Sequence, residues 1–80
     1  MSGIFDLSNP GAKVIPSGFG GGWILPLDAA GIQALHEFFG EPARPIYPLG
    51  DELGYIVEPW QSQDLAEHLR SCNVAWELGE

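Results

Sequence analysis

Eighty residues, of which 45% are hydrophobic and 11% aromatic, are enough for one core and too few for a second domain. Eleven acids against three bases leave a formal charge of −8, which argues against direct nucleic-acid binding, since phosphate contacts need clustered Lys and Arg. A single cysteine, Cys72, rules out an intrachain disulfide, and the longest apolar run, Trp23 to Leu27, is broken by Pro26 and far too short to span a bilayer, so a cytoplasmic protein with no membrane role is expected.

Residues 1–11, "MSGIFDLSNPG", end in turn formers and show no period, which predicts an N-terminal arm pinned by Ile4, Phe5 and Leu7. Residues 12–80 are then a single α+β domain. "AKVIP" reads as a strand, the glycine run after it as a wide turn with Phe19 at its tip, and "WILPL" as the returning strand. Asp28 is placed to cap a helix in which Ile32, Leu35 and Phe39 recur at helical spacing, and Gly40 is placed to end it. "RPIYP" and "GYIVE" flank "LGDEL" as a second hairpin. A second helix follows, beginning near Gln61 or Ser62, carrying Leu65, Leu69 and Cys72 on one face and stopping at Asn73. "VAWEL" at 74–78 closes the chain as a last strand.

The two halves, 12–41 and 44–73, share an order of strand, strand and helix. At an offset of 32, Pro16 lies over Pro48, Gly22 over Gly54 and Trp23 over Tyr55, and at 33, Ile32 lies over Leu65 and Gly40 over Asn73. The pattern suggests a ββα–ββα internal repeat. The predicted architecture is an antiparallel sheet of about five strands with both helices on one face.

Motifs for chemistry fail on inspection. "GFGGGWIL" lacks the glycine spacing of a dinucleotide fingerprint, since its sixth position is Trp23, and it leads into a strand rather than a helix. "HEFFG" has Gly40 where a helical zinc-protease motif needs its second histidine. His68 and Cys72 stand four apart on one helical face, but no second pair of Cys or His accompanies them, so no metal or other cofactor is expected and Cys72 reads as a core residue. The serines sit in no nucleophile motif, and Asp51 and Glu52 are neighbours in a turn, so the chain is not read as an enzyme. "PARPIYP" spaces Pro42, Pro45 and Pro48 as a polyproline helix would, yet Ile46 and Tyr47 favour an edge strand blunted by proline.

The acids are the stronger signal. Residues 51–80 hold seven of them against Arg70 alone. Asp51, Glu52, Glu58, Asp64 and Glu67 are predicted to form a negative binding surface, with Trp60 as an apolar anchor, because such a surface draws basic partners and imitates a phosphate array. In size, acidity and lack of catalytic apparatus the chain resembles the small inhibitors that bacteriophages make against host defences, anti-CRISPR proteins among them, a resemblance of size and charge rather than of any residue motif. It implies a non-enzymatic inhibitor that acts in the host cytoplasm. There it would occupy the basic nucleic-acid-binding site of a protein partner such as a CRISPR effector, as a monomer. The alternative is a homo-oligomeric structural subunit that self-associates through strand edges, Phe19 and Trp60.

Overall fold

The computed structural model describes residues 10–18 and 21–79, without the side chain of Pro48. Most of the expected arm and Phe19 lie outside these residues. Five strands, β1 (Ala12–Pro16), β2 (Gly22–Pro26), β3 (Arg44–Ile46), β4 (Glu52–Val57) and β5 (Trp76–Leu78), form one sheet in the order β3-β4-β2-β1-β5. Two helices, α1 (Ala29–Phe39) and α2 (Ser62–Ser71), complete an α+β fold. None of the described helices is long and apolar enough to cross a membrane.

The sheet is mixed, which corrects the expectation of antiparallel pairing throughout. β1 with β2, β2 with β4 and β3 with β4 are antiparallel, but β5 runs parallel to β1. The reason lies in the connection. A helix that carries the chain back across a sheet delivers the next strand in the direction of the last. So α1 brings β3 in parallel to β2, and α2 brings β5 in parallel to β4 and therefore to β1.

Both helices cover the face that presents Ala12, Val14, Ile24, Tyr55 and Val57, where Ala34, Leu35, Leu65, Leu69 and Val74 close the core. The Asp28 side chain caps α1 by accepting from the Gly31 amide at 2.8 Å, and Gly40 ends it in the left-handed conformation at φ 73°. Ile32 is the misplaced residue: it is 55% exposed, while Gly31, Ala34 and Leu35 face inward. A Cβ at Gly31 would overlap the Gly11 carbonyl oxygen, so the helix rests on backbone at its smallest residues and Ile32 is rotated to the flank. α2 follows directly from a 3₁₀ turn, Pro59–Gln61, and stops at Asn73, whose φ is 58°. Leu65 and Leu69 are buried in it and Cys72 is half-buried against the core.

The order of strand, strand, helix does occur twice, and β2 and β4 meet antiparallel at the centre. Repetition of residues is another matter. Trp23 pairs across from Ile56, and Tyr55 across from Ile24, so Trp23 and Tyr55 point to opposite faces although the offset of 32 superposes them.

Candidate functional site

Every acid proposed for binding is exposed, and the fold sorts them into two groups. Asp51 lies in the turn between β3 and β4, where it follows Gly50 with both residues at φ 72°, and Glu52 opens β4. The connection is a 3₁₀ turn, Tyr47–Leu49, closed by these two left-handed residues, and Asp tolerates that conformation better than most side chains. Glu58 follows the other end of β4, and at the usual strand rise the two ends are about 20 Å apart. Asp51 and Glu52 therefore do not join the rest.

Glu58, Trp60, Asp64 and Glu67 fall within the 3₁₀ turn and the first half of α2. Glu58 takes part in a capping box: its backbone N–H donates to Gln61 Oε1 at 3.0 Å while its own side chain accepts from the Gln61 amide. This fixes the turn that holds Trp60 out, 74% exposed. Asp64 sits in the first turn of α2, where a carboxylate suits the helix dipole, and Glu67 is three residues on, on the same outer side. No Lys or Arg occurs between Glu58 and Leu69.

Trp60 and Glu58 border a cleft of about 420 Å³ whose other wall is Trp23 and Ile56, on the face of the sheet that no helix covers. A second cleft of about 410 Å³ shares Trp23 and Ile56 and extends toward Ile46, Tyr47 and Arg44. On this face Leu25 and Ile46 close over Gly54, where a Cβ would crowd both side chains, while Ile56 remains 65% exposed. Trp23 and Ile56 were missed as surface residues. Their signal was present: β2 and β4 have apolar residues at successive positions rather than a polar alternate, the mark of a central strand with two apolar faces.

The remaining described acids have local tasks. Glu41 pairs with Arg44 at 3.0 Å, the one salt bridge among the described residues, and Glu77 lies opposite Lys13 across β1 and β5. Tyr55 donates to the Glu41 carbonyl at 2.8 Å. Burial, and then the Glu41 carboxylate, push its phenol above the ordinary tyrosine value. Its ring stacks on Phe39 at 4.4 Å, Phe39 meets Phe38 edge-on at 5.0 Å, and Phe38 lies 5.5 Å from the His68 ring.

His68 ends this aromatic row with its Nε2 2.9 Å from the Ala34 carbonyl and 3.7 Å from Cys72 Sγ. The packing of α1 against α2 adds Glu37, and one ligand atom from each of Glu37, His68 and Cys72 lies within 4.8 Å of the others. Sequence spacing gave His68 and Cys72 but not Glu37, because the third residue comes from the other helix. Comparison with protein-family models, with curated proteins and with solved structures finds no match for this chain.

Proposed function

We propose that the chain is a small non-enzymatic inhibitor that occupies a basic nucleic-acid-binding site on a protein partner, in the manner of anti-CRISPR proteins acting on CRISPR effectors in the host cytoplasm. The observation that carries this reading is Trp60, exposed beside an apolar cleft and flanked by Glu58, Asp64 and Glu67 with no basic side chain in the segment. A rigid aromatic supplies affinity once desolvated, and the carboxylates speed encounter with a Lys- and Arg-lined groove. Asp51 and Glu52 then form a separate contact at the far end of β4 or remain solvated.

The test is displacement of labelled target DNA from purified CRISPR effector complexes, with association rates read at two salt concentrations. The wild type is expected to displace DNA, and to associate more slowly as the screening length falls from about 10 Å at 0.1 M to about 3 Å at 1 M. Asp64→Lys with Glu67→Lys should lose displacement. Asp51→Asn with Glu52→Lys should lose less, and the asparagine retains the left-handed turn. Equal displacement by wild type and both variants, or none by the wild type, removes the inhibitor reading.

One observation favours self-association instead. β3 and β5 end the sheet, β5 is exposed throughout, and Leu78 on it is 67% exposed. Mass in solution separates the two readings: a monomer across concentrations supports the inhibitor, and a closed oligomer of constant mass supports assembly.

A further inference from the structure

We infer that Glu37, His68 and Cys72 form a binding site for one transition-metal ion of borderline softness, Zn²⁺ foremost, at the junction of α1 and α2. The site is independent of the inhibitor reading, and it replaces the expectation from sequence that the chain takes no metal.

The ligand set selects the ion. A thiolate, an imidazole and a carboxylate suit zinc and its neighbours, whereas magnesium and calcium take oxygen. Three protein ligands leave the fourth tetrahedral position to water. The spacing agrees. With Zn–S near 2.3 Å and Zn–N near 2.0 Å, two tetrahedral ligands stand about 3.5 Å apart, and His68 Nε2 is already 3.7 Å from Cys72 Sγ. Glu37 completes the group within 4.8 Å from an exposed position, where its long side chain is free to close the remaining distance.

Two of the three ligands are held by packing: Cys72 sits half-buried against the core, and the His68 ring lies against Phe38 at 5.5 Å. Without metal, Nε2 donates its proton to the Ala34 carbonyl at 2.9 Å. On binding, that bond is given up: the imidazole proton moves to Nδ1, a rotation of the ring turns the Nε2 lone pair to the ion, and the Cys72 thiol releases its proton to solvent. The Ala34 carbonyl is not orphaned, since its position inside α1 pairs it with the Phe38 amide. Charge also favours a cation here. Glu37 meets the Gln33 amide at 3.5 Å and, among the described residues, no Lys or Arg, and Glu37 and Cys72 lie at the C-terminal ends of their helices, where the carbonyl dipoles are negative.

The experiment uses the full chain, stripped with chelator and kept in a non-thiol reductant, titrated with ZnCl₂ by calorimetry and with CoCl₂ by absorbance. Expected are one equivalent of zinc, proton release on binding, and for cobalt both a thiolate charge-transfer band and the visible bands of a tetrahedral ion. Cys72→Ser should abolish the charge-transfer band. Glu37→Gln and His68→Ala should weaken zinc by roughly tenfold or more, and His36→Ala, which lies outside the cluster, should bind as the wild type does. Should His68→Ala fold poorly, Glu37→Gln carries the result, because its side chain is exposed. The inference is overturned by wild-type cobalt spectra without a thiolate band, by zinc affinity unchanged in Glu37→Gln and Cys72→Ser, or by a loss in His36→Ala as large as in His68→Ala.

Discussion

Gly31 is a case in which two residue-scale effects oppose each other. Replacing a glycine within a helix by alanine normally stabilises, by up to about 1 kcal/mol in the interior and less in the first turn, where Gly31 lies. At this position a methyl group would overlap the Gly11 carbonyl oxygen, which itself accepts from the Leu27 amide at 2.7 Å and cannot retreat without breaking that bond. Overpacking against backbone is the larger effect, so Gly31→Ala should destabilise by about 1–3 kcal/mol, read as a lower urea midpoint at unchanged slope. Tyr55 makes a second prediction at this scale. Its raised pKa means that the folded state holds the phenolic proton more tightly than the unfolded chain does. The stability linked to it is complete below about pH 10 and is lost as pH rises through the folded value. Tyr55→Phe should lose about 0.5–1.5 kcal/mol at neutral pH with its hydrogen bond to Glu41. In return, its unfolding midpoint should fall less steeply than the wild type's above pH 10.

At the scale of the elements, the helices differ in how far their phase is legible. Leu65 and Leu69 are the only large aliphatics of α2, and both are buried, Leu69 to 1% exposure. Leu69→Ala should therefore cost about 2–5 kcal/mol. In α1 the spacing of Ile32, Leu35 and Phe39 offered a stripe of which the fold buries Leu35, packs Phe39 against the core and leaves Ile32 outside, because hydrophobicity at a helix flank says nothing about how closely the axis approaches the sheet. Ile32→Ala should shift stability by no more than about 0.5 kcal/mol while Leu35→Ala loses several times that, and paired denaturation curves would show the contrast. Strand limits were readable where turn chemistry is explicit. Asp28 and Gly40 bracket α1, and β1 spans the predicted "AKVIP". The direction of β5 was not, since nothing in "VAWEL" encodes whether its neighbour runs with it or against it.

For the whole molecule, the charge and the exposure of the acids were legible, but their grouping was not. Distance along the chain put Glu52 and Glu58 close, whereas an extended strand between them sets them about 20 Å apart. Glu37 is the converse: far from His68 in sequence, beside it once α1 and α2 pack. The parallel pairing of β1 with β5 carries a further consequence, for the order of folding. Ala12 pairs with Trp76, so the outer edge of β1 waits until Trp76 and its neighbours have left the ribosome. The two hairpins can zip locally on a microsecond scale, but this ladder must close the whole span from Ala12 to Trp76. Until then β1 is an unpaired edge, and the nascent protein is open to strand exchange with its neighbours on a polysome.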